Sequence, residues 1–107
     1  MSIENTVLAA LLYNEEYARK TLPFIQEEYF ANQKDRLIFK LISQYVGKYN
    51  NLPSLEAIVI DLSNKQGVNE SLFKETLSEI KDLKSDKGTE LQWLLDQTEK
   101  WCQDRAI

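Results

Sequence analysis

Apolar side chains in the segment 33–49 recur with the period of an α-helix, and this pattern constrains the fold more than any other feature of the chain. Over four turns the same face carries Leu37, Ile38, Leu41, Ile42, Tyr45, Val46 and Tyr49. A helix with such a continuous apolar face has to pack against other elements. Only three glycines and two prolines interrupt the 107 residues, and so few breakers favour further helices. The sequence therefore predicts an all-α fold, a compact bundle of about six helices in one domain, 1–107.

Two shorter helices are predicted before this segment. Ser2 is placed to cap a first helix over about 3–13. Asn14 is placed to cap a second helix over about 15–21, which Pro23 stops. The two aromatic residues that follow are interpreted as plugs over the helix ends rather than as a ligand site: Tyr29 and Phe30.

A fourth helix is predicted after Ser54, which is a good capping residue. The β-branched run 58–60 would also suit a strand, but no second strand is available to pair with it. Gly67 fits the left-handed position that ends such a helix. The predicted apolar face consists of Leu55, Ile58, Val59 and Leu62, with Ile60 as a second contact.

Two more helices complete the predicted bundle. Asn69 starts a fifth helix over about 70–84, with Phe73, Leu77 and Ile80 on its apolar face, and the segment 85–88 is a polar break. Thr89 is predicted to open a sixth helix, with Gln92 completing a capping box. The segment 89–107 still has a helical composition at its end, which we interpret as a helix cut short.

The charge and the missing residue types argue against several classes of function. The net charge is −4, and DNA affinity is built largely from Lys and Arg neutralising phosphates, so we expect no strong DNA binding by this chain. There is no histidine and no GxxxxGK(S/T) or GxGxxG loop, so we expect neither catalysis nor a bound cofactor or metal. The longest apolar run, 7–12, is too short to cross a bilayer, and no signal peptide is present, which favours the cytoplasm.

Four residues are candidates for a protein interface. Trp93 and Trp101 are eight residues apart, which predicts a shared face offset from the stripe that contains Leu91, Leu95 and Cys102. A helix with two apolar faces needs two neighbours, and tryptophan is enriched at interface hot spots, so one face is expected to contact a second chain. The alternative is that both indoles pack inside the domain. The other two candidates lie opposite the apolar face of the segment 33–49 and are otherwise simply solvated charges: Arg36 and Lys40.

The remaining reactive side chains have simpler interpretations. Cys102 lacks a histidine partner and has a core-facing spacing, so a buried, inert thiol is favoured over a nucleophile or a redox sensor. Neighbouring carboxylates at 15–16 and 27–28 point apart on a helix, which favours capping or solvated roles over a metal site.

The ordered set of motifs resembles the N-terminal domain of DnaB-type replicative DNA helicases, closest to the T-even-type phage branch. The first helix (6–14), the Glu28-Tyr29-Phe30 stretch, the helix that starts with Asp35-Arg36, and the Pro53-led helix occur in the family's order. The stretch 94–106 looks like the first arm of the family's helical hairpin. Three positions depart from the family pattern: Ala9 replaces a glycine, Asp35 a histidine, and Ser54 an aspartate found in many bacterial members.

The resemblance implies a ring-shaped, hexameric helicase as the parent protein. Its ATP and Mg would bind in a later RecA-like domain, and its N-terminal domains would form a collar by self-association and would help dock primase and the helicase loader. It implies no catalytic residue in this chain.

Two other functions stay open at this point. One is the helicase-binding domain of a primase. The starting Met1 argues against this function, because that domain lies at the C-terminal end of its parent protein. The other is a free-standing helical adaptor or loader of the replication machinery, against which the open helical end argues.

Overall fold

The computed structural model describes residues 2–85 and 88–106, and these form a bundle of α-helices with one short 3₁₀ turn and no strand. The helices are α1 (Ile3–Tyr13), α2 (Glu15–Thr21), α3 (Gln33–Tyr49), α4 (Leu55–Asn64), α5 (Glu70–Asp82) and α6 (Leu91–Arg105). The 3₁₀ turn spans Glu27–Tyr29, between α2 and α3. The predicted all-α class and the six helices are confirmed.

Side-chain caps fix the starts of four helices where the sequence predicted them. The backbone N–H three residues on donates to each capping oxygen: Asn5 to Ser2, Tyr17 to Asn14, Ala57 to Ser54 and Leu72 to Asn69. Such a bond satisfies one of the backbone donors that a helix start leaves unpaired. Short polar residues in front of apolar runs are therefore sufficient to set these boundaries.

Two local predictions were wrong. Gly67 has the left-handed φ of 81°, but α4 ends at Asn64 and its cap is Lys65, so the glycine lies in the turn beyond the cap. The predicted cap at Thr89 was wrong, because the capping position of α6 is occupied by Glu90 and the helix begins at Leu91. The Gln92 amide instead donates to the Asp96 carboxylate one turn along the same helix, at 2.9 Å. Asp86 and Lys87 of the predicted polar break lie outside the described residues.

The core lies where α3 meets α1, α4 and α5, and where α6 closes over α1 and α2. Its centre is formed by side chains that are fully buried: Val7, Leu8, Leu11, Tyr17, Phe30, Ile38, Ile42 and Ile58. The predicted face of α3 is confirmed at four positions, whereas Tyr49 at its end is 53% exposed. The four buried residues are Leu37, Ile38, Leu41 and Ile42.

A buried hydrogen bond joins α2 to α6 inside this core. The hydroxyl groups of Tyr17 and Thr98 are 2.6 Å apart, and both residues are fully buried. The Thr98 hydroxyl donates to the Leu94 carbonyl at 2.8 Å. Burial raises the pKa of Tyr17 to about 12, so the phenol stays protonated and available to this bond at physiological pH.

We expect Tyr17→Phe to lower the free energy of unfolding by about 1–2 kcal/mol, because it removes one partner of a buried hydrogen bond without removing the ring. Urea unfolding followed by circular dichroism measures the change. Tyr49→Phe is the matched control, since that ring is half exposed and its variant should stay within about 0.5 kcal/mol of the parent chain. Equal effects in the two variants would contradict the prediction.

Candidate functional site

The two tryptophans of α6 lie in different environments. Trp101 is buried, with 6% exposure, whereas Trp93 is 52% exposed. The prediction that they share a face was wrong, because eight residues at about 100° each leave the second side chain roughly 80° around the helix from the first. The alternative that both indoles lie in the core does not hold either.

Trp101 packs against the connector between α2 and α3. Its ring meets Phe30 edge-on at a centroid distance of 4.9 Å and meets Tyr29 at 6.0 Å. Phe30 in turn lies 5.4 Å from Phe39 of α3. The indole of Trp101 therefore packs together with Tyr29 and Phe30, which were predicted to cover the helix ends. Of the two tryptophans, Trp93 is the one whose ring is exposed to solvent.

Arg36 and Lys40 hold the same connector onto α3. The Nε of Arg36 donates to the Phe30 carbonyl at 2.7 Å, and the Lys40 ammonium lies 3.7 Å from the Glu27 carboxylate. Arg36 is exposed and Lys40 half-buried. Both are thus more than solvated charges, although their assignment to a protein interface stays a prediction.

Both side chains also border a cleft of about 230 Å³ between α3 and the turn that follows α4. Lys65 adds a third cation to its rim, and an apolar floor lies beneath. We call this the basic cleft: a rim of Arg36, Lys40 and Lys65 above Leu37, Val68 and Leu72. The sequence indicated two of the three cations, while Lys65 was missed because only the fold of the 65–68 turn brings it across from α3.

A second surface feature is the apolar outer side of α4. Ile58 and Leu62 are buried as predicted, but Leu55 is 40% and Ile60 is 58% exposed. A shallow, almost wholly apolar depression of about 390 Å³ lies here, and its apolar lining consists of Leu55, Val59, Ile60 and Ile80. We call it the α4 surface. Its signal in the sequence was the excess of apolar residues between 55 and 62, more than one buried face can hold.

Two acidic side chains meet between α3 and α5, which the sequence analysis missed. Asp35 is 2% exposed and Glu79 has a side chain 13% exposed, and each keeps one buried oxygen without a donor in the part of the chain described, Asp35 Oδ1 and Glu79 Oε2. Lys34 lies 3.9 Å from the other Glu79 oxygen. Burial, helped by the adjoining Asp35 carboxyl, raises the pKa of Glu79 from 4.5 to about 7.

The other reactive groups singled out in the sequence are a thiol and pairs of neighbouring carboxylates. Cys102 is buried, as predicted, and burial raises the pKa of its thiol to about 11. Glu15 and Glu16 pair with Arg19 and Lys20 one turn along α2, at 2.7 and 3.2 Å. Among residues 2–85 and 88–106, no three acidic, histidine or cysteine side chains come together as metal ligands. No helix in these ranges is long and apolar enough to cross a membrane.

Two comparisons with known proteins agree with this helical architecture. The profile of a family described as "DnaB-like helicase N terminal domain" matches residues 1–98. A protein of Enterobacteria phage T4 described as a "DnaB-like replicative helicase" is 34% identical over 105 residues. The aligned part is 94% of this chain but 21% of that protein, so the chain spans about a fifth of its relative's length.

The Glu79 carboxyl predicts a pH dependence of stability. Because its pKa is higher in the folded chain than in the unfolded one, the folded state binds the extra proton. The stability that this proton provides should be complete below about pH 4.5 and should be lost as the pH rises to about 7. We expect Glu79→Gln to flatten this decline and to be more stable than the parent chain above pH 7. Urea unfolding between pH 4 and 8 measures it.

Glu75→Gln is the control for that experiment, because Glu75 is an exposed acid one turn away on α5. It should keep the decline between pH 4.5 and 7. An unchanged decline in Glu79→Gln would show that other groups cause it.

The separation of the tryptophans predicts different effects on stability. Trp101→Ala removes a large buried ring and should lower the free energy of unfolding by about 3–5 kcal/mol. Trp93→Ala removes an exposed ring and should change it by less than about 0.5 kcal/mol. Thermal melts of the two variants measure this difference, and a Trp93→Ala variant as unstable as Trp101→Ala would contradict the assigned environments.

Proposed function

The chain belongs to the DnaB-like helicase N-terminal domain family, and on that premise we propose that it is a non-catalytic oligomerisation and protein-docking domain of a replicative DNA helicase. The helicase activity itself, with its ATP and Mg, is assigned to the part of the parent protein that this chain does not span. The T4 relative's description as a replicative helicase supports the parent's activity. The absence of histidine and of phosphate-binding loops in the sequence supports a domain without chemistry.

The observation that carries this proposal is the exposure of large apolar side chains on two separate helices. Trp93 of α6 and Ile60 of α4 each expose more than half of their surface. Exposed apolar patches on a soluble domain commonly mark contacts with other proteins, and tryptophan is a frequent hot-spot residue.

The positions of these side chains suit a ring. Each subunit of a closed ring touches two neighbours and so needs two contact surfaces. The α6 helix packs on α1 and α2, whereas α4 packs on α3 and α5, so Trp93 and the α4 surface belong to different parts of the bundle. We propose that both contact neighbouring copies of this domain in the collar of a hexamer. Primase and the helicase loader are proposed as the other partners, through surfaces that the collar leaves free.

We expect the 107-residue chain to self-associate with a Kd near micromolar, or about 8 kcal/mol of binding free energy. Trp93→Ala and Ile60→Ser should each weaken association by roughly 2 kcal/mol if they are hot spots, because each removes apolar area from a contact. Sedimentation equilibrium over a range of concentrations measures both effects.

Tyr49→Ala provides the matched control, because this aromatic side chain is as exposed as Trp93 but lies outside both surfaces. Its association constant should equal that of the parent chain. A strict monomer at several hundred micromolar would contradict the self-association part of the proposal.

A further inference from the structure

The basic cleft is a second kind of surface, polar at its rim and apolar at its floor. Three of the chain's cationic side chains converge there, although the chain as a whole carries a net charge of −4. Glu27 is the acidic side chain in the lining, so positive charge is in excess at the rim. The floor residue Leu37 is buried, while Val68 and Leu72 are partly exposed.

The guanidinium of Arg36 is partly fixed by a backbone group. Its Nε is fixed by the Phe30 carbonyl at 2.7 Å, which leaves both Nη groups without a partner among residues 2–85 and 88–106. A planar guanidinium with free Nη groups matches a carboxylate in bidentate geometry. Because one of its nitrogens is already anchored, less side-chain freedom is lost when a ligand binds.

The size and mixed chemistry of the cleft select the type of ligand. Its volume of about 230 Å³ is below the roughly 300–1,000 Å³ of pockets that enclose whole small molecules. It suits one or two side chains of a peptide. A phosphate backbone would gain nothing from the apolar floor, whereas an acidic residue next to an apolar one satisfies both rim and floor.

We propose that the basic cleft docks a partner-protein segment that carries a carboxylate side chain beside an apolar side chain. The carboxylate pairs with Arg36, with Lys65 close by, and the apolar side chain covers Leu37, Val68 and Leu72. This inference rests on the proposed docking function but uses a surface distinct from Trp93 and the α4 surface. It names the chemistry of a partner other than a second copy of the domain.

The test is a nuclear magnetic resonance titration of the ¹⁵N-labelled 107-residue chain. The probe is the peptide acetyl-Glu-Asp-Leu-Glu-Asp-Phe-amide, and the comparison peptide has Gln and Asn in place of the acids. We expect the acidic peptide to shift the backbone amides of 36–40 and 65–72. The neutral peptide should bind about tenfold more weakly, because it lacks the charge-assisted hydrogen bonds.

Variants separate the cleft from general electrostatic attraction. Arg36→Gln and Lys65→Gln should each weaken the acidic peptide by about fivefold or more, and added salt should weaken it further. Lys65→Gln keeps the test valid if loss of the Arg36 contact to Phe30 impairs folding. The Lys65 ammonium makes a single side-chain contact within the described ranges 2–85 and 88–106, to the Gln44 side chain at 3.3 Å. Lys48→Gln is the control, since this exposed lysine of α3 lies outside the cleft and should leave binding unchanged.

Three results would overturn the inference. They are no shift in these amides at several millimolar peptide, equal binding of the neutral peptide, and tighter binding of a ten-nucleotide oligothymidylate to the same amides. The last would make the cleft a nucleic-acid site. Self-association is measured separately. A monomeric chain that binds the acidic peptide would contradict the collar proposal alone. A self-associating chain that does not bind the peptide would contradict this inference alone.

Discussion

The contact between Phe30 and Trp101 connects the irregular part of the chain with its last helix, and much of the bundle depends on it. Phe30 is fully buried at the end of the 3₁₀ turn, and the indole closes over it from α6. The connector has a few backbone turn bonds of its own, such as Phe30 N–H to the Glu27 carbonyl at 3.2 Å. Side chains of α3 add two further contacts, because Arg36 donates to the Phe30 carbonyl and Lys40 pairs with Glu27. The same aromatic packing therefore sets the position of Arg36 at the basic cleft.

The helices could be predicted from the sequence because their signals are local. Capping oxygens at Ser2, Asn14, Ser54 and Asn69 act within three residues, and an apolar period reports one buried face of one helix. The family followed from the order of these local patterns along the whole chain. Errors arose at the exact ends of helices, as at Thr89, which was predicted to open a helix that starts at Leu91.

The parts of the surfaces that escaped prediction depend on distant residues. Asp35 and Glu79 are 44 positions apart in sequence, and only the packing of α5 on α3 buries them together. Lys65 reaches the rim of the basic cleft by way of a turn that contains a left-handed glycine, Gly67. The environments of Trp93 and Trp101 were misjudged because a two-turn spacing leaves a large angular offset, and the aromatic partner of Trp101 comes from residues about 70 positions earlier.

The unequal burial of the two indoles gives the domain a pair of built-in optical reporters. Trp101, enclosed by Tyr29 and Phe30, should emit at shorter wavelength and resist quenching by iodide, whereas Trp93 should emit as a hydrated indole and be quenched readily. Unfolding would then be seen in the first signal, and the approach of another molecule to α6 in the second. A single fluorescence spectrum, taken without any attached dye, thus distinguishes loss of the fold from occupation of its surface.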